Sequence, residues 1–366
     1  MRKNELHAVQ MMPIMVCATM GVRILTIQYE VVSVAGRDAW ISVLIGSLLS
    51  VAVGIGIVFP LALLNPENDF PQLLIKLFGK FLGKVFLAFM ALYSVIYIGL
   101  TLRIFVQATK NFLLDRTPTT VLVGVIVLTL ILTVKRGVKV IGISVDFIFP
   151  ITTITLILLF FLALSEVRVL EFQPVLYKNS INVIKGVLPA FGAVLGQSIS
   201  TYYLNYLTEQ KKAGKWIVFG GIISIFLYTA LTIVTIGAFG PEEIKTMMYP
   251  TLSLSKSIEF PVTMFERLEI LVIIASIPGF FAWMLLFGYA SVRNFTELFG
   301  IKQNYHKYVA YAHIPLIFIV ALVPRNALEA FEYLRIIGML EIIFLLVIVP
   351  VMLIISLFRR RKGAKC

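Results

Sequence analysis

The chain has 366 residues, 59% of them hydrophobic and only 14% charged, with a net charge of +13 and two cysteines. Soluble domains hold about 45–50% apolar and about 25% charged residues, so a soluble enzyme is excluded. Cys17 and Cys366 give no spacing for a disulfide framework or zinc site, and no extramembrane segment is long enough to read nucleic acid, whatever the positive charge.

Ten stretches contain no Asp, Glu, Lys or Arg: 6–22, 39–66, 85–102, 117–134, 147–165, 186–208, 216–241, 270–292, 308–324 and 342–358. At ~1.5 Å rise per residue, about 20 residues cross the ~30 Å hydrocarbon layer. These stretches are apolar on every face, which marks burial in lipid or in a bundle. They predict an all-α membrane protein, a single polytopic domain over 1–366 with about ten transmembrane helices.

The first stretch is interrupted by Met20, Gly21, Val22 and Arg23 and resumes over 24–34. Charged Arg23 and Glu30 follow it instead of a small-residue cleavage site, so it reads as a retained helix and not as a leader. Over 69–83, Phe70, Leu73, Leu74, Leu77 and Phe78 alternate with Lys76 and Lys80, as in a short helix lying on the inner membrane surface. On the third span Tyr93 and Tyr97 stand one turn apart and can stack, Tyr97 lying deeper than the flanking charges. Arg103 is either an intramembrane functional charge or a residue snorkelling to the outer interface near Lys110 and Arg116.

In the sixth span Gly192 and Gly196 flank 193–195 shortly after Pro189. Segment 251–259, between Pro250 and Pro261, reads as an outer counterpart of the inner surface helix. The eighth span opens with Glu266, Arg267 and Glu269. The carboxylates stand at i, i+3, but no His, Cys or nucleophile accompanies them, so an ion-pair clasp is favoured over general acid–base catalysis. Further along, Ser276, Pro278, Gly279, Trp283 and Phe287 share one broad face, on which Trp283 either caps a pocket or is ordinary packing. His7, His306 and His313 are too scattered for a metal motif, and no GxxxxGK[ST] loop is present for ATP. No cofactor and no enzymatic activity are indicated.

The interruptions in the first and sixth spans fall at corresponding places if ten spans divide five plus five, a first repeat over about 6–165 and a second over about 183–358. One glycine break alone would indicate close helix packing. A matched pair is the mark of an inverted-repeat, transporter-like fold, whose broken helices 1 and 6 free backbone groups at mid-membrane and aim half-helix N-termini at anionic groups. The breaks therefore locate a candidate small-molecule site.

Five segments in order, GRDAWIS (36–42), FLLDRTP (112–118), FQPV (172–175), YPTLSL (249–254) and FERLE (265–269), resemble the spore germination permease family, the B subunits of germinant receptors in endospore-forming bacteria. The resemblance runs the full length and extends to the amino-acid/polyamine/organocation transporter superfamily. It implies a protein of the spore inner membrane that senses a small germinant, typically an amino acid, together with an A-type membrane subunit and a C-type lipoprotein. By similarity of position the ligand pocket would draw on Gly21 and Val22, on Tyr97, on Ile199 and its neighbours Gln197 and Ser200, and on Trp283 and Phe287. The residues themselves add Tyr93, Gly192, Gly196 and Ser276 to the candidate site, with Arg23, Arg103, Glu266, Arg267 and Glu269 as structural or coupling charges. Trp283 stands where alanine-responsive members would carry a small hydroxylated residue, and Arg23 adds charge beside the first break, so alanine is disfavoured as the ligand. A secondary amino-acid permease is the alternative, because one fold serves both purposes. No Asp or Glu relay at the breaks speaks for ion coupling.

With ten spans and the N-terminus inside, nineteen Lys and Arg residues fall in inner segments and nine in outer ones, while Arg23, Arg103, Arg267 and Arg335 lie in or near spans. The positive-inside rule then puts both termini in the cytoplasm, with the 359–365 cluster held at anionic headgroups. A single cysteine introduced at Lys212 is expected to resist an impermeant thiol reagent applied outside intact cells. Labelling from outside would reverse this topology.

Overall fold

The computed structural model describes residues 6–177, 180–258 and 268–363. Its helices are, in chain order, α1 (Met11–Thr19), α2 (Arg23–Ala35), α3 (Ala39–Val53), α4 (Phe59–Leu64), α5 (Phe70–Phe112), α6 (Thr119–Val134), α7 (Val138–Ala163), α8 (Ser180–Ala193), α9 (Ser200–Tyr203), α10 (Ala213–Ile244), α11 (Pro250–Ser257), α12 (Leu268–Leu298), α13 (His306–Leu322), α14 (Ala327–Ile343) and α15 (Val349–Gly363). Extended pairing among the described residues is one parallel bridge between Leu6 and Leu207. In it the Leu6 amide donates to the Tyr206 carbonyl (3.2 Å) and the Thr208 amide to the Leu6 carbonyl (3.0 Å).

Local chemistry sets the ends. Asp69 and Gln72 form a reciprocal capping box ahead of α5, each side chain accepting the other's backbone amide at 3.3 Å. Gly79, at φ +82, turns the chain from the short Phe70–Phe78 helical piece, whose Lys76 is exposed, into the long part of α5, so a separate short helix stands over the stretch where one is expected. Gly240, at φ +74, does the same in α10 just before Pro241. A short helix, α11, is also present over most of the 251–259 segment.

Six described segments are long and apolar enough to cross a membrane by length and composition, and Ala8–Thr19, Thr119–Val134, Ser180–Ala193 and His306–Leu322 are shorter apolar helices. The inner elements are α1, α5, α10 and α12: 72% of the apolar window of α12 and 61% of that of α5 are buried, against 33% for α7. The outer face carries exposed Phe147, Ile154 and Phe161 on α7, Val125 on α6 and Ile336 on α14. Such a surface is stable against hydrocarbon and unfavourable in water, and the protein is an integral membrane protein.

The last span departs from the expectation. The charge-free run begins at 342, but α14 starts fifteen residues earlier, where the Asn326 side chain accepts from the Glu329 amide at 2.9 Å. Arg335 and Glu341 thus lie inside the helix, and a π turn at Phe344–Ile348 continues it into α15.

Helices α3 and α8 approach through small residues. A Cβ on Gly46 would lie 2.6 Å from the Ala190 Cβ and 2.7 Å from the Phe191 backbone nitrogen, and one on Gly186 would lie 2.7 Å from the Ser42 Oγ. A backbone atom cannot step aside as a side chain can. Gly46→Val is therefore expected to cost about 1–3 kcal/mol and lower the thermal unfolding midpoint of the purified protein. Gly56→Ala, where a Cβ meets nothing within 4 Å, should leave it unchanged or raise it. An unchanged midpoint for Gly46→Val would contradict the close crossing.

Candidate functional site

Residues 20–22 leave α1 and α2 as separate helices, and a tighter turn over Leu195–Ile199 separates α8 from α9. The two breaks touch: a Cβ on Gly196 would lie 2.6 Å from the Ala18 carbonyl and 2.9 Å from the Thr19 nitrogen. Only glycine permits that approach. Carbonyls freed by the breaks would be orphaned in a dry bundle, and side chains from neighbouring helices reach them. The Tyr228 phenol on α10 donates to the Thr19 carbonyl at 2.6 Å and lies 3.4 Å from the Ala193 carbonyl, so one hydroxyl stands between the ends of α1 and α8. Ser50 on α3 donates to the Val194 carbonyl at 2.9 Å. The Thr19 hydroxyl donates to the Val16 carbonyl and sits 3.1 Å from the Ser224 hydroxyl.

Beside the breaks runs an aromatic column from α5 and α12. Tyr93 and Tyr97 stack at 5.3 Å between ring centroids, Tyr97 meets Trp283 edge-on at 5.5 Å, and Trp283 stacks on Phe287 at 4.7 Å. The Trp283 indole covers the first break, since a Cβ on Gly21 would lie 3.1 Å from its Nε1. Breaks and column enclose a small cavity whose charged lining residues are Arg23 and Glu341. Arg23 is buried, its guanidinium 3.7 Å from the Glu30 carboxylate. Glu341 accepts a hydrogen bond from the Tyr93 phenol at 2.6 Å.

Of the residues singled out in the sequence, Gly21, Val22, Arg23, Tyr97, Gly192, Gly196, Trp283 and Phe287 line this one cavity. Tyr93 stands behind Tyr97 and anchors Glu341. Ile199 and Ser200 are buried where α9 begins, off the cavity lining, and the Gln197 side chain lies outside the described residues. Ser276 donates to the Val272 carbonyl and faces a second, more apolar cavity with Phe105, Thr152 and Phe280. Arg103 does not snorkel free: it is buried and donates to the Arg325 carbonyl at 2.9 Å, tying α5 to the chain before α14. Glu266, Arg267 and the Glu269 side chain lie outside the described residues, as therefore does the clasp expected of them.

Three contributors escaped sequence reading: Tyr228, Thr101 and Glu341. Glu341 had a signal, since a charge fifteen residues into a helix-forming stretch and flanked by Met339, Leu340, Ile342 and Ile343 is intramembrane and costly. A second buried polar layer lies apart from the cavity. There Asp69 pairs with Arg293 of α12 (Nε–Oδ2 2.7 Å), while the Tyr202 phenol donates to the Asn294 Oδ1 at 2.9 Å.

The family model described as spore germination protein matches residues 5–330. Spore germination protein YndE of Bacillus subtilis (strain 168) is 25% identical over 329 residues, covering 90% of this chain and 89% of its own. Spore germination protein B2 of the same organism is 25% identical over 344 residues, covering 92% of each. Spore germination protein GerQB of Bacillus cereus is 26% identical over 312 residues, covering 84% of this chain and 83% of its own. Among solved structures, the nucleobase-cation-symport-1 family transporter Mhp1, closed with bromovinylhydantoin bound, superposes with a TM-score of 0.65 at 11% identity over 91% of this chain and 75% of that one. MhsT in complex with L-phenylalanine superposes with a TM-score of 0.62 at 15% identity over 98% and 99%. At these identities the likeness is one of fold, and the fold is that of these transporters.

Tyr228→Phe removes the donor at the helix ends and leaves buried carbonyls unpaired. It is expected to destabilise the protein by about 1–3 kcal/mol in detergent unfolding. Tyr333→Phe, whose phenol bonds Glu329 at the surface, should cost far less. Equal effects would mean that Tyr228 does not hold the breaks.

Proposed function

The chain belongs to the spore germination protein family, and we propose that it is the germinant-sensing B subunit of a spore germinant receptor, binding a small molecule between its two broken helices to trigger germination. The observation that carries this reading is the meeting of the breaks at backbone distance beside an aromatic wall. A ligand there touches α1, α2, α8, α5 and α12 at once, so its binding energy can shift how these helices pack. The ligand is an amino acid: the start of α2, which no side chain caps, offers a helix N-terminus to a carboxylate.

Ten spans in two inverted repeats of five are supported by which helices pack together. Numbering α1 with α2 as the first span, α3 with α4 as the second and α8 with α9 as the sixth, span one packs on span seven (α10) as span six packs on span two. Span three (α5) packs on span ten (α14) as span eight (α12) packs on span five (α7). Adding five to each member of one pair gives the other. Both termini lie in the cytoplasm, the membrane is the spore inner membrane, and an A-type membrane subunit and a C-type lipoprotein complete the receptor. MhsT shares the fold with an amino acid bound, which favours amino-acid permease activity as the second reading.

Spores lacking this protein are expected to lose the response to one germinant while answering others. Spores carrying Gly21→Leu at matched protein level should show a half-effective concentration about tenfold higher or more, because the new side chain displaces the Trp283 indole. Trp283→Ala should change the rank order of germinants among amino acids, nucleosides and sugars. Unaltered germination without the protein would overturn the sensing role, and a uniform rise of all concentrations for Trp283→Ala would remove that residue from the pocket wall.

A further inference from the structure

The cavity at the breaks is lined by two buried polar side chains with unpartnered atoms, Arg23 and Thr101, and by the carboxylate of Glu341. Arg23 is 8% exposed, its Nε has no hydrogen-bond partner, and among the described ion pairs its guanidinium is matched only with Glu30, at 3.7 Å. Thr101 is 2% exposed and its hydroxyl is also unpartnered. Glu341 accepts from Tyr93 through one carboxylate oxygen and lines the same cavity as Arg23. A buried guanidinium with an idle N–H is costly, and a planar, two-oxygen acceptor is what its fork is shaped to receive.

The Arg23 guanidinium packs against α14. A Cβ on Gly338 would lie 2.7 Å from its Nη2, so the guanidinium fills the space beside that glycine on α14, and one on Gly192 of α8 would be in ordinary contact with its Nη1 at 3.6 Å. Gly338 stands one turn before Glu341 on α14, which brings the cation and the carboxylate to the same side of the cavity lining. Trp283, Tyr97 and Phe287, in mutual ring contact, line the same cavity.

We propose that Arg23 and Glu341 are the charged specificity determinants of this site, and that its ligand is a zwitterion: a carboxylate received by Arg23, an ammonium received by Glu341, and an apolar part against the Trp283, Tyr97 and Phe287 rings. This rests on the reading of the cavity as the sensing site and adds which groups choose the ligand. A zwitterion enters without net charge and pairs both ends. A sugar or nucleoside would leave the Arg23 fork without its anion, and a site built around buried charges rejects ligands that leave them unpaired. Thr101 supplies a further hydroxyl to the polar end, and the aromatic faces also favour an ammonium.

The test uses the full-length protein purified in detergent. Thermal midpoints are measured with each common L-amino acid, and every amino acid that raises the midpoint is titrated beside its decarboxylated amine and its desamino acid. The expected result is that an amino acid binds and both analogues bind about 10- to 100-fold more weakly. Arg23→Gln should weaken the amino acid and the desamino acid but not the amine, while Glu341→Gln should weaken the amino acid and the amine but not the desamino acid. Arg23→Lys, which keeps the charge and loses the fork, should recover part of the binding and report on folding. Equal binding of amino acid and analogues, or binding unmoved by either variant, overturns the assignment. If no amino acid binds but a nucleoside or sugar does, the zwitterion is wrong and the sensing role stands; if spores without the protein germinate normally, the sensing role itself falls.

Discussion

Everything in this molecule turns on backbone polar groups released in the middle of an apolar bundle. A continuous helix pairs its own amides and carbonyls, and two helices here are not continuous. Lipid offers no hydrogen bond, so the chain must supply each one from a neighbour. The Tyr228 hydroxyl between the ends of α1 and α8, and Ser50 on the Val194 carbonyl, are that supply. The same demand explains why α1 is buried over almost its whole length and why Gly196 can be nothing larger.

Two buried arginines answer the cost of charge in opposite ways. Arg293 meets Asp69 through two nitrogens, and Asp69 also caps α5, so that pair is complete and fastens α12 to the start of α5. Arg23 has no such match. Removing one partner of a completed pair strands the other and destabilises the fold by about 3–5 kcal/mol. An incomplete one holds free energy in reserve for whatever completes it. The contrast separates a structural lock from a group kept ready.

The membrane class, the break at Gly21 and the glycines of the sixth span were legible because charge-free length and helix-breaking residues are local properties. The meeting of the breaks could be argued only from symmetry, and Gly196 against Ala18 is its physical form. Tyr228 was illegible, since one tyrosine in an apolar helix looks like any other and its partner Thr19 is 209 residues away. Glu341 was hidden by the device that found the spans. Ending each span at a charge discards charges that lie inside one, and the helix that holds Glu341 begins at an Asn326 cap carrying no hydrophobic signal. Ser276 lines a second cavity that shares Gly21 with the first, because a helical face of about 100° spans both.

Of the three tryptophans only Trp283 is fully buried; Trp40 and Trp216 are half-buried. Its indole lies over the first break, against the Phe287 ring and edge-on to Tyr97. The chain thus carries a fluorophore in its own cavity. A molecule lodging there must displace or polarise that ring, so occupancy is written into the wavelength and intensity of the protein's native emission without any attached dye.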